Sequence, residues 1–490
     1  MGEMFFPGST HMKKIAAIIL AVLVLGLFSC AKDDSTGKNL TILCEMMKPY
    51  NYEENGHLHG ISIEVVQGIL AKLELANPIE MSSDWDAIFK RLKTEDNIVA
   101  FTTGLTTERK EMFKWVGPIT LWHVGFVGLE AANLPITTAE EAQSLTAVGV
   151  VKSYFTGEIL RGLGFANLVE FADLDALVQG LYQGNVQAVF DNLSLLQIVA
   201  QDQGRDVSNL DNLVTYSTTQ GYLAFSKNVS DLTISTWQEK LDEMKDDGTL
   251  QEMYDRYLPG TKAPGRVTIF TESNPPQNFI DQTGMLIGSS VDMVRAMMRE
   301  IGVDYPLVST NWTNAYAQIQ LVPNAMTFST LRTAAREALF HWVGPVCKKK
   351  YCFFVRADTD YQITTIDDAR DLQAVGTVKG WSSEQQLIDL GFSNIVTFAT
   401  PQIVLQKLLA GEIPCVVLND ISIRILLEEL NRPLNEVRKE ATLSDGQTFL
   451  AFSIDTDEEY IKKWTAAYNK IVSSGKLKQI WEEWYPDIAW

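Results

Sequence analysis

The sequence predicts an α/β protein made of two tandem copies of one domain. The tetrapeptide Trp-Val-Gly-Pro at residues 115–118 recurs at residues 342–345, a shift of 227 positions in a chain of 490 residues. The same shift relates further pairs along the chain: Glu45 and Glu272, Trp85 and Trp312, Arg109 and Arg336, Gly184 and Gly411, and Gly248 and Gly475. Solenoid repeats recur every ~20–50 residues, so this long separation indicates that a whole domain was duplicated.

Strands and helices alternate along the first copy. Ile61, Val65 and Ile69 recur at helical spacing, whereas short apolar runs flanked by turn residues are typical of buried strands. In chain order, the copy is predicted to contain strands at residues 40–45, 98–103, 122–129, 148–151, 168–171, 186–190 and 222–226, and helices at residues 61–73, 84–92, 157–163, 174–183 and 232–257, the last broken at Gly248. This βαβ alternation predicts a mainly parallel sheet.

A short segment rich in proline and glycine, residues 259–265, separates the copies. This composition is typical of a linker, so we expect two domains that are close but not fused. We assign residues 39–259 to module 1, residues 260–265 to the linker and residues 266–490 to module 2. An apolar content of 46% is enough for a core in each module, and we expect residues 40–260 to fold and melt alone.

The N-terminal residues 1–30 are predicted to be a signal peptide. Two lysines precede an apolar run at residues 15–28, which is too short for a stable membrane-spanning helix. A short membrane anchor is the alternative. The ending Leu-Phe-Ser-Cys resembles a bacterial lipobox, which makes Cys30 the predicted lipidation site and residues 31–38 a tether. We therefore expect a protein of the periplasm or cell surface, attached to a membrane through its lipid alone.

Composition excludes several classes of function. A net charge of −20 argues against nucleic acid as a partner. The five histidines are too scattered for a metal site, and no phosphate-binding loop or nucleophile motif is present, so we expect no metal, no cofactor and no catalytic residue. Cysteines 44, 347, 352 and 415 do not recur at the 227-residue shift, so no disulfide is built into the module. Cys347 and Cys352 lie five residues apart on a predicted strand and are predicted to be buried thiols.

Several short motifs recur in the same order in both copies. A Thr-x-x-Arg segment, at residues 106–109 and 333–336, precedes a Phe-x-Trp-Val-Gly-Pro strand, and each copy closes on a Gly-x-Leu helix. Together these motifs resemble the bacterial periplasmic solute-binding proteins of the amino-acid-binding family 3, which have the type 2 periplasmic-binding fold. The resemblance covers both copies along essentially their whole length. It implies that each module consists of two α/β lobes joined by crossing strands, which close around a small solute like a Venus flytrap.

The resemblance also assigns ligand-binding residues to module 1. Arg109 matches the arginine that clamps a ligand carboxylate, a role that suits the guanidinium fork, and Asp191 matches the acidic residue that takes an ammonium group. The remaining predicted contacts are a strand end, a helix start and two aromatic walls: Thr102, Ser153, Tyr154, Tyr50 and Trp85. Gly104 departs from the family, because a hydroxyl residue usually helps to hold the carboxylate there.

In module 2 the predicted site keeps the arginine and changes its surroundings. The predicted ligand contacts are Gln277, Trp312, Ser329, Arg332, Arg336, Trp381, Asn419 and Asp420. Leu418 stands at the shifted position of Asp191, so the acidic group is missing or displaced by one residue, which on a strand points to the other face. We therefore expect module 2 to prefer a solute without an amine, or to have lost binding.

These observations predict capture of a small polar solute, an amino acid or a related carboxylate, outside the cytoplasm. The solute would pass to the permease of an ABC-type transporter or to a sensor. Two alternatives remain open at this stage. One is an enzyme that resembles a periplasmic dehydratase acting on a small carboxylic acid, and the other is an interaction protein with empty clefts.

Overall fold

The computed structural model describes residue 2 and residues 36–136, 138–139, 141–281 and 285–485. The predicted signal peptide apart from Gly2, the lipidation site Cys30 and most of the predicted tether lie outside the described residues. Within the described part of the chain, no helix is both long enough and apolar enough to cross a membrane.

Module 1 alternates strands and helices, as the sequence predicts. Its strands are β1 (Thr41–Glu45), β2 (Tyr52–Glu54), β3 (His57–His59), β4 (Ile79–Ser82), β5 (Ile98–Gly104), β6 (Lys114–Leu129), β7 (Val148–Val151), β8 (Leu168–Phe171), β9 (Ala188–Asp191) and β10 (Leu210–Phe225). Its helices are α1 (Ile61–Lys72), α2 (Trp85–Thr94), α3 (Thr107–Lys110), α4 (Phe155–Gly162), α5 (Leu174–Tyr182), α6 (Leu193–Asp202), α7 (Asp231–Asp246) and α8 (Thr249–Tyr257).

Module 2 repeats this order of elements, except that a turn and a 3-10 segment stand at the position of α3. Its strands are β11 (Thr268–Thr271), β12 (Phe279–Ile280), β13 (Leu286–Ile287), β14 (Leu307–Ser309), β15 (Ala325–Leu331), β16 (Phe340–Arg356), β17 (Val375–Val378), β18 (Ile395–Phe398), β19 (Cys415–Asn419) and β20 (Val437–Ser453). Its helices are α9 (Ser289–Ile301), α10 (Trp312–Leu321), α11 (Ser382–Asp389), α12 (Pro401–Leu409), α13 (Ser422–Glu429), α14 (Glu458–Ser473) and α15 (Lys476–Trp484).

Helix starts in module 1 follow from local side-chain chemistry. Asp84, Asp173 and Ser230 each accept a hydrogen bond from a backbone N–H three residues later, at 3.0, 2.7 and 3.0 Å. These bonds satisfy donors that the first turn of a helix leaves without a partner. The last predicted helix of the module is indeed broken at Gly248, which adopts φ +85° between α7 and α8.

Each module is organised around one eight-stranded sheet that continues through two lobes. In module 1 the strand order is β4-β1-β5-β10-β6-β9-β7-β8. The outer strands pair in parallel, β1 with β4 and β5, and β7 with β8 and β9. The two 16-residue strands β6 and β10 pair antiparallel along the middle and run from one lobe into the other. Module 2 has the same order, β14-β11-β15-β20-β16-β19-β17-β18, which confirms the predicted fold class.

Apolar cores flank the sheet in each lobe. Trp237 on α7 and Trp464 on α14 are 0% and 1% exposed, and each fills the core of the lobe that contains the module's first strand. These tryptophans are again 227 residues apart. The four cysteines of the described chain are buried and free, which agrees with the prediction for Cys347 and Cys352. The duplication therefore extends from the sequence motifs to the packing of the core.

The two modules pack against each other through a buried apolar cluster, which we call the inter-module cluster. Module 1 contributes Leu105 and Tyr222, and module 2 contributes Phe270, Val308, Ala315, Ile319, Leu321, Val322, Ala325, Phe340 and Ala451. Polar contacts surround it, including Asn314 Nδ2 to the Tyr216 carbonyl at 3.0 Å and Lys110 Nζ to Asp455 at 3.2 Å. The modules are thus joined by more than their linker.

Candidate functional site

A cavity lies between the two lobes of module 1, where β1, β5 and β9 end. It encloses about 440 Å³, part of it at the open mouth. Five of the predicted ligand contacts line it: Trp85, Thr102, Arg109, Tyr154 and Asp191. The edge formed by the strand ends is where open α/β sheets bind their ligands.

Two buried carboxyl groups form one side of this cavity. Asp191 is 4% exposed; its Oδ1 accepts a hydrogen bond from the Asn192 N–H at 2.7 Å, and its Oδ2 has no partner. Burial raises the pKa of Asp191 to about 7. Glu45 is 5% exposed. Burial raises the pKa of Glu45 to about 8, the hydroxyl of Tyr154 opposes that rise, and the charge of Asp191 adds to it. A cation bound beside these carboxyl groups would favour their ionised form and lower their pKa values.

Aromatic rings form the opposite walls. Trp122 on β6 stacks on Phe155 with 5.7 Å between ring centroids and 15° between the planes. Tyr50 contacts the far side of Trp122 edge-on at 5.7 Å and stands behind the wall. Trp85 and Tyr154 meet edge-on at 6.3 Å. Trp122 and Phe155 were not among the contacts predicted from the sequence, although Trp122 lies two residues before Val124, on the face of β6 that lines the cavity.

Arg109 is engaged by a carboxylate of the protein itself. Its Nε lies 2.9 Å from Glu158 Oε1, and its Nη2 lies 2.7 Å from the same oxygen. Thr106 Oγ1 donates to the other Glu158 oxygen at 2.8 Å. Arg109 is 1% exposed, and its guanidinium carbon lies 4.5 Å from the centre of the Phe89 ring. Burial lowers the pKa of Arg109, and the charge of Glu158 opposes that effect.

Further contacts near Arg109 join the lobes. Ser153 does not line the cavity; its carbonyl accepts hydrogen bonds from Trp85 Nε1 at 2.9 Å and from Arg109 Nη2 at 2.7 Å. Its hydroxyl donates to Asp86 Oδ1 at 2.6 Å. The predicted residues Trp85, Arg109 and Ser153 are thus brought together, and their polar groups bond to one another across the cleft.

The backbone at the predicted strand end is unusual in both modules. Thr102 has φ +61°, and its counterpart Ser329 has φ +60°. Both hydroxyls donate to a buried asparagine, Thr102 to Asn51 at 2.7 Å and Ser329 to Asn278 at 2.9 Å. Residues with side chains rarely adopt positive φ, and such strain concentrates at binding sites.

The space next to Gly104 is filled by an aromatic ring. A Cβ atom built on Gly104 would lie 2.5 Å from Cγ of Phe155. Serine or threonine at this position therefore requires the ring to move. Module 1 therefore has no hydroxyl group at position 104, and the Phe155 ring occupies the space that such a side chain would need.

Module 2 has a smaller cavity at the equivalent place. It encloses about 230 Å³, and four predicted residues line it: Trp312, Ser329, Arg336 and Trp381. Glu272, the counterpart of Glu45, accepts a hydrogen bond from Trp381 Nε1 at 2.9 Å. Burial raises the pKa of Glu272 to about 7, while Trp381, Lys349 and Arg336 oppose the rise.

Two buried basic residues distinguish this second cleft: Arg336 lines the cavity, and Lys349 lies outside its lining. Arg336 donates to the Gly380 carbonyl at 3.1 Å and lies over the Trp312 ring at 5.1 Å, and it has no ion-pair partner among the described residues. Lys349 takes the position of Trp122; it is 1% exposed and its Nζ has no hydrogen-bond partner. Burial lowers the pKa of Lys349, and the charges of Cys347 and Glu272 oppose this.

Four predicted contacts of module 2 lie outside its cavity. Arg332 forms an ion pair with Glu337 and its side chain is 39% exposed. Asp420 pairs with Lys439 at 3.3 Å. Asn419 bonds to Ser422 at 2.6 Å, and Gln277 is fully buried without lining the cavity.

The strand register supports the alignment of the two copies around Asp191. Asp191 pairs with Gly125, and Leu418 pairs with Cys352; both residues of the second pair lie 227 positions after those of the first. A one-residue slip, which would bring Asp420 into the cleft, is therefore absent. Module 2 has an apolar side chain where module 1 has its buried acid.

The modules that contain these two cavities are similar to known proteins. The sequence matches the bacterial extracellular solute-binding proteins, family 3, over residues 40–260 and again over residues 267–487. The chain belongs to this family. Its modules are solute-binding modules that act outside the cytoplasm, and the family consists of binding proteins. The resemblance stated from the sequence is confirmed for the family and for the tandem repeat.

Individual relatives are distant. A probable amino-acid-binding protein, YxeM of Bacillus subtilis (strain 168), is 22% identical over 261 residues, covering 50% of this chain and 96% of the relative. The arginine-, lysine-, histidine-binding protein ArtJ of Geobacillus stearothermophilus is 17% identical with a TM-score of 0.41, covering 46% of this chain and 96% of that one. The periplasmic domain of B. pertussis BvgS is 14% identical with a TM-score of 0.38, covering 91% and 90%.

Proposed function

We propose that module 1 captures a small solute by a positively charged amino group, which Asp191 and Glu45 hold between aromatic walls. The observation that carries this proposal is the unpartnered Oδ2 of Asp191, which lines the cavity and is almost completely buried. A buried polar atom without a partner is costly, so a donor supplied by a ligand is strongly favoured there.

The charges and rings around Asp191 support the same ligand group. Glu45 adds a second carboxyl group on the same side, whereas Arg109, the one basic residue of the lining, is already paired. Trp85, Trp122 and Phe155 present ring surfaces, which attract cations within about 6 Å of the ring centre. An ammonium or amidinium group satisfies both features at once.

We propose further that the chain is exported and lipid-anchored, and that it hands its solute to a transporter or a sensor. The apolar run at residues 15–28 and the lipobox-like ending at Cys30 support export and lipidation. Membership of a solute-binding family supports a membrane protein as the receiving partner.

The binding proposal is tested with Asp191→Asn, which keeps the size of the side chain and removes its charge. Titration calorimetry with a panel of α-amino acids and primary amines should find a ligand for the full chain. Losing one partner of a buried charge pair costs about 2–5 kcal/mol of binding, so the variant should bind at least ~30-fold more weakly. Asp211→Asn, an exposed position on β10, is the matched control and should bind normally.

The pH dependence provides a second readout of the same ligand. A cation is held best by ionised carboxylates, and the pKa values of Asp191 and Glu45 are raised to about 7 and about 8. Affinity should therefore rise from pH 5.5 to pH 8.5, and Asp191→Asn should flatten that rise. Equal affinity of Asp191→Asn and the parent protein, or affinity that falls with increasing pH, would show that the ligand is held elsewhere.

A further inference from the structure

We infer that Glu158 takes the place of the ligand's carboxylate in module 1, so that this cleft selects a cationic amine that has no carboxylate beside its ammonium group. The inference rests on the proposed function and narrows its ligand class. It follows from four features: the pairing of Arg109, the charge of the cavity, the space beside Gly104, and the contrast with module 2.

Glu158 occupies the edge of the Arg109 guanidinium that is formed by Nε and Nη2. Nη2 donates to Glu158 Oε1 at 2.7 Å and Nε donates to Oε2 at 3.0 Å, the forked arrangement that arginine makes with a carboxylate. Nη2 also donates to the Ser153 carbonyl at 2.7 Å. Both partners are almost fully buried, at 1% and 9% side-chain exposure. A ligand carboxylate must displace this internal pair before it can form the same fork with Nε and Nη2 of Arg109.

The charge of the lining also opposes a ligand carboxylate. Glu45 and Asp191 are acidic, and the positive charge of Arg109 is already balanced by Glu158. A ligand carboxylate would bring a further negative charge into a buried space without an unpaired cation in its described lining. An amine brings the positive charge that this space lacks.

The position next to the clamp provides no room for a carboxylate donor. Phe155 lies where a Cβ of residue 104 would be, and its ring stacks on Trp122. Phe155 and Glu158 both lie on α4, so a single helix brings a ring and a carboxylate to the end of β5. The result is an apolar surface beside a neutralised arginine.

Module 2 shows that the fold does not require this internal pair. The counterpart of Glu158 at the 227-residue shift is Gln385, whose side chain bonds to Asp389 at 2.8 Å on the surface. Arg336 has no carboxylate partner among the described residues and contacts the Gly380 carbonyl and two aromatic rings. Glu158 is therefore a feature of one cleft and not of the module.

The test compares each amino acid with the amine that remains after loss of its carboxylate. Suitable pairs are arginine and agmatine, lysine and cadaverine, histidine and histamine, and phenylalanine and phenethylamine, titrated into the full chain by calorimetry. At least one amine should bind ten or more times tighter than its parent amino acid. Asp191→Asn should abolish that binding, which assigns it to module 1.

Glu158→Gln then tests the role of the internal carboxylate. It frees Arg109 while keeping a side chain of the same size, so affinity for the parent amino acid should rise at least tenfold and the preference for the amine should shrink. Glu108→Gln, an exposed position beside Arg109, is the matched control and should leave the preference unchanged. Unfolding by denaturant checks that each variant is folded.

Three results would refute this inference, and only the last of them would also refute the proposed function. If an amino acid binds as tightly as its amine and depends on Asp191, solute capture through an ammonium stands and the role of Glu158 is refuted. The same holds if Glu158→Gln leaves the preference for the amine intact. If neither class binds module 1, the proposed function and this inference are both refuted.

Discussion

At the scale of single residues, the two modules bury opposite internal charges near their clefts. Glu158 neutralises Arg109 in module 1, whereas in module 2 the basic side chain of Lys349 stands where Trp122 stands in module 1. The charge of Lys349 lowers the pKa of Glu272, which burial raises. The copies therefore differ at residues that set the charge near their clefts.

Lys349→Met should destabilise module 2 most strongly in alkaline buffer. Lys349 Nζ forms no hydrogen bond, but its charge opposes the burial-raised pKa of Glu272, so the substitution makes the ionised form of Glu272 less stable in the folded protein. The pKa of Glu272 is raised to about 7, so the acid is protonated below that pH and the loss should be smaller at pH 6 than at pH 8.5. Denaturant unfolding at the two pH values measures the difference.

Lys350→Met is the control for this substitution. Lys350 is the next residue on β16 and is exposed on the opposite face of the strand. It should change the free energy of unfolding by less than about 0.5 kcal/mol at either pH. Equal losses from Lys349→Met and Lys350→Met would mean that the buried charge interaction has no role in stability.

Comparing residues 227 positions apart was enough to locate the clefts, but it did not predict which charged side chains pair with each other there. Arg109, Trp85 and Asp191 line the first cavity as the motifs predict. The partner of Arg109 is 49 residues away on a helix of the other lobe, and no local pattern links the two. Arg332 looked like a second cation of the cleft, and the nearby Glu337 holds it at the surface instead.

At the scale of elements, helix α4 determines the shape of the first cleft. Its first residue, Phe155, fills the space beside Gly104, and Glu158 lies in its first turn. Gly104→Ser should reduce stability by about 1–3 kcal/mol, the usual cost of overpacking, and should weaken ligand binding. Adding Phe155→Ala should recover part of the stability, because the ring that clashes is gone.

A glycine within the same helix provides the control for this double substitution. No atom lies within 4 Å of a Cβ built on Gly162, so Gly162→Ser should leave stability and binding nearly unchanged. The measurement is a double-mutant cycle from thermal or denaturant unfolding. Strict additivity of Gly104→Ser and Phe155→Ala would exclude a direct contact between the two positions.

The sequence predicted only part of each crossing strand. The predicted strands at residues 122–129 and 222–226 are parts of β6 and β10, which are 16 residues long. Gly117 and Pro118 interrupt the apolar pattern of β6, and a register shift in the structure accommodates them. In β10 the polar run Ser217 to Gln220 is buried at the crossing, where apolar alternation gives no signal.

At the scale of the whole molecule, the inter-module cluster couples the stabilities of the two modules, because each buries part of the other's apolar surface. Ala315→Glu places a charge in that cluster and should lower the unfolding temperature of the full chain by several degrees. Residues 36–263 expressed alone should fold with a lower unfolding temperature than in the full chain, because Leu105 and Tyr222 lose their cover. Scanning calorimetry of the three proteins measures both effects.

The matched control is Ala466→Glu, an exposed alanine in the middle of α14. It should leave the unfolding temperature within a degree of the parent value. If Ala315→Glu also leaves the unfolding temperature unchanged, the modules are independent in solution, and the linker alone joins them as the sequence predicts.

Helix α10 lies at the interface between the modules and contacts a crossing strand of module 1 and the cavity of module 2. Asn314 donates to the carbonyl of Tyr216 on the crossing strand of module 1, while Trp312, two residues earlier, lines the cavity of module 2. If motion of that strand displaces the helix, binding of a solute to one module changes the affinity of the other module for its own solute. By thermodynamic linkage, the coupling free energy is the same in both directions. A membrane partner that contacts one module would then also respond to binding at the other.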